Sequence, residues 1–239
     1  MGSEPVEGHH HHQARPDLVE GSHPAPGFDA TTVFDAAFWN DRYASAPTIW
    51  SGNPNPQLVT EASGLAPSTA LDVGCGEGAD AVWLAERGWH VTALDISQVA
   101  LDKAAKHAQQ ASPEAAERIT WQQADLTEGL ALLPGFGLVS VQFLHVPPGE
   151  RDPLYVQLAE LVTPGGTLLI VGHDPSDLES AGHLRAHRPD LLFTADDMAA
   201  LLDPAEWTIA TPEARRRSVV DPDGQTIEVA DAVVVARRR

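Results

Sequence analysis

Leu71-Asp72-Val73-Gly74-Cys75-Gly76-Glu77-Gly78-Ala79-Asp80 is the stretch that decides the fold. Thr69 to Val73 is a short apolar run that reads as a strand. Ala79 to Arg87, closed by Gly88, reads as a helix. The glycines between them stand at alternate positions, 74, 76 and 78. A side chain at these positions would block close approach of a ligand to backbone N–H groups at a helix N-terminus. The spacing is Gly-x-Gly-x-Gly, not the Gly-x-Gly-x-x-Gly of dinucleotide loops. Asp72 before the loop and Glu77 inside it disfavour a polyanion such as pyrophosphate. They suit a ligand with an ammonium group of its own. Cys75 reads as a small loop residue facing that ligand, not as a nucleophile.

Outward from the loop, strands and helices alternate. His90 to Asp95 reads as a strand, and Val99 to Ala111 as a helix stopped by Pro113. Ile119 to Gln123 and Gly137 to Phe143 are strands. Asp152 to Leu161 is a helix opening at Pro153. Gly166 to Val171 is a strand whose Leu168-Leu169-Ile170-Val171 run is apolar enough to be buried on both faces. This rhythm predicts an α/β fold, a parallel sheet with helices on both faces. The end of the chain departs from it. Trp207 to Val220 and Thr226 to Arg237 are strand-like and separated by Asp221-Pro222-Asp223-Gly224, which predicts an antiparallel hairpin. Ahead of the sheet, Phe34 to Tyr43 is a short amphipathic helix, and Ser51-Gly52-Asn53-Pro54-Asn55-Pro56 is irregular.

Two acids fall at strand ends in register with the loop. Asp95 closes the second strand, 21 positions after Gly74, where a carboxylate accepts from two ribose hydroxyls. Asp125 follows the third strand and can accept from an adenine amino group while Leu126 packs on the ring. In open parallel sheets ligands bind at these carboxyl ends.

On these residues the chain resembles the class I S-adenosylmethionine-dependent methyltransferases. The resemblance implies a Rossmann-like, seven-stranded, mostly parallel sheet with helices on both faces and a C-terminal antiparallel hairpin. It implies S-adenosylmethionine as cofactor and S-adenosylhomocysteine as product. Gly74, Gly76 and Gly78 would hold the methionine part, Asp95 the ribose, and Asp125 with Leu126 the adenine. Asp72 would support the loop, and Cys75, Ile96, Gln142 and Trp50 complete the expected cofactor-binding set. A narrower likeness to the thiopurine and tellurite-resistance methyltransferases rests on Phe38-Trp39-Asn40-Asp41-Arg42-Tyr43, Trp50 and Pro54-Asn55-Pro56. Val141-Gln142-Phe143-Leu144, Thr163-Pro164-Gly165-Gly166 and the hairpin extend it. That likeness implies a small-molecule acceptor such as a thiol or another soft nucleophile. Two alternatives stay open, a non-catalytic S-adenosylmethionine-binding protein and a nucleotide-dependent oxidoreductase.

Composition narrows the partners. Of 239 residues, 43 % are hydrophobic, and no apolar run approaches the ~18 needed to span a bilayer. Residues 1–23, with His9 to His12 in a row, read as an expression leader. Residues 24–239 read as one domain, 24–66 forming a lid segment and 67–239 the sheet core. Fifteen Lys and Arg against 34 Asp and Glu give a net charge of -19. Nucleic acid and anionic membrane are thereby disfavoured as partners, and a small molecule is expected. The one cysteine forms no internal disulfide, which fits a cytoplasmic location. The oligomeric state is not legible.

Methyl transfer from a sulfonium needs no general acid, and a base only if the nucleophile arrives protonated. His145 after the fourth strand and His173 after the fifth are the candidate bases. His183 and His187 share helical spacing near His173 and Asp174, yet no cysteine joins them, and no metal is expected. The polar stretch Asp174 to Pro189 reads as a flap. Trp39 is assigned to packing, and Trp50 to the pocket.

Overall fold

A computed structural model describes residues 32–129, 134–176, 188–220 and 224–239. The expected leader, the His183 and His187 pair, most of the expected flap and the tip of the terminal turn lie outside the described residues.

The sheet has seven strands in the order β3-β2-β1-β4-β5-β7-β6. They are β1 (Thr69–Val73), β2 (His90–Asp95), β3 (Ile119–Gln123), β4 (Phe136–Gln142), β5 (Val162–His173), β6 (Trp207–Val220) and β7 (Thr226–Arg238). β1 to β5 run parallel, and β7 inserts antiparallel between β5 and β6. The expected architecture is therefore the observed one, reversed hairpin included. Pro212 is tolerated within β6 because that strand is the sheet edge and carries a register shift at Ile209/Thr211.

Alternation along the central strands divides the core between the two faces. Leu168 and Ile170 pack on one side with Leu71, Val139 and Leu158. Leu169 and Val171 pack on the other with Ala70, Leu138, Trp83 and Trp89. All four residues of the 168–171 run are at most 1 % exposed, as a strand covered on both faces requires. Each such side chain contributes roughly 1.5–3 kcal/mol by leaving water.

The helices are α1 (Ala36–Ala44), α2 (Pro56–Ala62), α3 (Ala79–Glu86), α4 (Gln98–Ala111), α5 (Pro113–Ala116), α6 (Pro148–Glu160) and α7 (Ala195–Ala199). Helix α6 begins at Pro148, earlier than its expected start near Pro153. Pro148 occupies the first turn, where no backbone donor is needed. Pro153 then removes a single N–H from a helix already nucleated by Arg151 N–H to Pro147 O at 2.8 Å. The short α5 and α7 carry too few residues to show a period. Thr194 and Asp197 close α7 with a reciprocal capping box.

Helix α1 is fastened to the sheet domain by polar contacts. Asp35 caps it, accepting from Phe38 N at 2.8 Å. Asn40 Oδ1 accepts from Ser97 Oγ at 2.7 Å and from Val99 N at 3.3 Å at the start of α4. Lys103 Nζ donates to the carbonyls of Tyr43 and Ala46, at 2.5 and 2.6 Å. Among the described residues no helix is long and apolar enough to cross a membrane.

Candidate cofactor and acceptor site

The turn between β1 and α3 is left-handed at each of its glycines, with φ of +72° at Gly74, +51° at Gly76 and +82° at Gly78. Its N–H groups are largely consumed within the protein. Gly74 and Cys75 both donate to Leu94 O, Gly78 donates to Cys75 O, and Gly76 donates to Asp95 Oδ2 at 2.8 Å. The glycines therefore serve backbone shape and close approach more than they leave N–H groups open. A Cβ at Gly76 would sit 2.8 Å from Tyr43 Oη and 3.3 Å from Trp50 Nε1. One at Gly78 would sit 2.6 Å from the ring of Trp121.

A cavity of about 740 Å³ opens in front of this turn. One wall is the glycine loop with Cys75, Asp95 and Ile96; Asp125, Leu126 and Gln142 extend it along the strand ends. The N-terminal segment, with Trp39, Tyr43 and Trp50, forms the cover. Phe34, Phe143, His145, Arg188 and Arg217 line the remaining side. Eleven of the thirteen residues expected from the sequence thus line one space. His173 stands just behind the wall: its ring contacts Phe143 at 4.6 Å and His145 at 6.2 Å but does not line the cavity. Asp72, the remaining member, lies behind the loop and is 1 % exposed. It takes a backbone N–H from Ala81 at the start of α3, so it braces the turn without facing the cavity.

Glu77 does not have the role the sequence suggested. Its carboxylate accepts from Ile49 N at 2.9 Å and Trp50 N at 3.1 Å, and pairs with Lys103 Nζ at 3.2 Å. It staples the cover to the loop and is not left for a ligand ammonium. Asp80 does the same further on, accepting from Asn55 N at 2.6 Å. Trp50 Nε1 donates to Tyr43 Oη at 3.1 Å above Gly76, which fixes the cover over the turn.

Burial sets the ionisation of the wall. It raises the Asp95 carboxyl above its ordinary range, while N–H groups of Ser97, Gly76 and Ile96 pull it back. Burial, then Asp95, raises Tyr43 well above the usual phenol value, so it remains protonated. Burial, with Asp72 and Asp95, raises the Cys75 thiol, which leaves it a poor nucleophile. Asp80 is pushed up to about 6 by burial.

The residues fit a bound S-adenosylmethionine. Asp95 keeps further lone pairs beyond its bonds to Gly76 and Ser97. Asp125 uses Oδ1 for Thr127 and caps a short turn, leaving Oδ2. Gln142 Oε1 is buried beside the cavity and accepts from no described residue, which suits an ammonium donor. Lys103, Asn40, Phe143, Arg188 and Arg217 were not expected at the site. Phe143 holds φ +50° directly after β4, a strained non-glycine backbone with no sequence signature. Among the described residues no three His, Cys, Asp or Glu side chains form a metal cluster.

Residues 70–166 match a family described as a methyltransferase domain. The chain is 32 % identical over 154 residues to a probable thiol methyltransferase 2 of Arabidopsis thaliana, covering 60 % of this chain and 64 % of that one. The chain thus spans less than two thirds of that relative. It is 26 % identical over 172 residues to a 2-heptyl-1-hydroxyquinolin-4(1H)-one methyltransferase of Mycobacteroides abscessus, covering 66 % and 74 %. Among solved structures it is similar to one described under conversion of a disulfide bond into a thioacetal group during echinomycin biosynthesis. That likeness has a TM-score of 0.67 at 23 % identity, covering 85 % and 91 %. The matched stretch runs from β1 into β5 and carries the glycine turn, Asp95 and Asp125, so over about two fifths of its length the chain is similar to a methyltransferase domain, within a sheet whose last strand is reversed.

Proposed function

We propose that this protein transfers a methyl group to a small-molecule acceptor, a thiol or another soft nucleophile. The observation that carries this reading is a cavity of about 740 Å³ that joins the glycine loop, Asp95 and Asp125 to an aromatic wall bearing His145. That volume lies in the range of small-molecule sites and leaves room beside a nucleoside for a small acceptor. The thiol methyltransferase among the relatives supports the choice of nucleophile.

When bound, S-adenosylmethionine supplies an electrophilic methyl whose leaving group is a neutral thioether. Asp95 binds the ribose hydroxyls and Asp125 the adenine amino group, with Leu126 and Ile96 against the ring. Gln142 accepts from the ammonium. Tyr43 and Trp50, held by Glu77 and Lys103, keep water from the reacting region. His145 reaches the cavity and removes the proton of a neutral thiol, while His173 supports it from behind through ring contact. The acidic composition disfavours nucleic acid, which supports a small-molecule acceptor.

The test is S-adenosylhomocysteine formation from a panel of aliphatic and aromatic thiols, phenols and amines. Turnover of thiols above the others is expected. Cofactor binding without turnover of any acceptor would leave a binding protein, and NAD binding in preference to S-adenosylmethionine would indicate an oxidoreductase.

A further inference from the structure

Arg188 and Arg217 are the arginines among the described residues lining the cavity, and they differ in one respect. Arg188 spends its guanidinium on protein acceptors: Nε and Nη2 bind the two Asp190 oxygens at 2.8 and 2.7 Å, and Nη1 binds Thr32 O at 3.2 Å. Arg217 donates only Nε, to Asp231 Oδ2 at 2.7 Å. Its Nη1 and Nη2 bond to no described residue, although the side chain is only 22 % exposed.

The guanidinium is held from behind. Asp231 is 0 % exposed, and its Oδ2 also accepts from Gln57 Nε2 at 3.2 Å. Gln57 Oε1 in turn accepts from Arg215, which pairs with Glu61 at 2.6 Å. Alternation on β6 puts Arg215 and Arg217 on one side of the hairpin, the first tied to α2 and the second placed at the cavity. Arg217 also stacks over Phe143 at 5.7 Å, and Phe143 is the residue with the strained backbone. A planar fork locked on one edge by a buried carboxylate offers its other edge in a fixed direction, which is the geometry that binds a carboxylate through two parallel hydrogen bonds. The neighbouring wall is aromatic: Phe34 stacks with Trp39 at 6.0 Å, and both rings meet His145.

We propose that Arg217 is an acceptor-positioning residue, and that the acceptor is a flat aromatic molecule whose carboxylate or comparable oxyanion docks on the free edge of this guanidinium. The proposal rests on the methyl-transfer reading of the same cavity. The chain's net charge of -19 does not oppose it at contact range, because exposed charges beyond roughly 8 Å are screened at physiological salt.

The test compares 4-mercaptobenzoate with thiophenol, which share the reacting thiol and differ in the carboxylate. Wild-type kcat/KM should favour the carboxylated thiol at least tenfold, mainly through KM. In Arg217→Gln that ratio should collapse toward one, and Arg217→Lys should restore part of it. A purely structural role would lower both rates in proportion and leave the ratio unchanged, and that result would overturn the proposal. So would a wild-type enzyme indifferent to the carboxylate. A second arm titrates benzoate into the S-adenosylhomocysteine complex by calorimetry, where Arg217→Gln should weaken binding at least tenfold. If no thiol is turned over but benzoate binds in an Arg217-dependent way, the catalytic reading fails while the anion site stands. If benzoate does not bind, the anion site fails whatever the turnover.

Discussion

The carboxylate of Asp95 accepts the backbone N–H of Gly76 at 2.8 Å, so the end of β2 holds the turn that follows β1. A residue expected to serve the ribose alone also shapes the loop beside it. Asp95→Ala should therefore weaken S-adenosylhomocysteine binding by about 1.5–3 kcal/mol, the scale for hydrogen bonds to a charged acceptor. Isothermal titration of the variant checks this. Unchanged affinity would remove Asp95 from the cofactor site.

Glu77 gathers the Ile49 and Trp50 N–H groups and the Lys103 ammonium onto one carboxylate, with its side chain 11 % exposed. Glu77→Ala leaves the Ile49 and Trp50 N–H groups unpaired and takes the counter-charge from Lys103, which keeps its bonds to the Tyr43 and Ala46 carbonyls, at a cost of about 1–3 kcal/mol. The expected outcome is faster hydrogen exchange across α1 and residues 45–50, with β1, β4 and β5 still protected. Equal protection of the cover in the variant would show that other contacts hold it.

Gly78 is both left-handed and crowded, so an added methyl meets the Trp121 ring and Ala104 Cβ, at 2.6 and 2.8 Å. Left-handed backbone costs a residue with a Cβ about 1–2 kcal/mol, and overpacking adds about 1–3. Gly78→Ala should lower Tm by several degrees in a thermal melt. Gly224→Ala, at φ +80° with nothing within 4 Å of the added carbon, should lower it less.

Asp80 gives a pH dependence with a definite sign. Its carboxyl is pushed from 3.8 up to about 6 by burial, against the pull of the Asn55 N–H. The folded chain therefore holds this proton more tightly than the unfolded chain. The contribution to stability is complete below about pH 4 and is lost as pH rises through about 6. Asp80→Asn keeps an oxygen for Asn55 and removes the charge. It should be more stable than wild type at pH 8 by about 1–3 kcal/mol and converge with it near pH 4. Parallel urea curves at the two pH values decide the point, and no difference at pH 8 would contradict it.

The strongly acidic composition should prevent salt-sensitive retention on DNA or heparin. A steep salt dependence of DNA affinity would overturn the small-molecule assignment.

The sheet was legible because its signals are local. Strand runs, the helix stop at Gly88 and the turn between β6 and β7 depend on the conformational preferences of neighbouring residues, and alternation along a strand sets which residues face each layer. Gly74, Gly76 and Gly78, Asp95 and Asp125 were readable for a related reason. Each stands at the carboxyl end of a parallel strand, so its position in the chain determines its position in space. What only the tertiary structure decided is which polar group meets which. Glu77 meets Ile49 across 28 positions, Lys103 meets Tyr43 across 60, and Gln57 meets Asp231 across 174. A charged residue in sequence carries no record of its partner, because the energy of a hydrogen bond depends on distance and angle between groups that folding alone brings together. For that reason Glu77 read as a ligand contact and proved a staple, while Arg217 carried no signal in the sequence and proved part of the cavity wall.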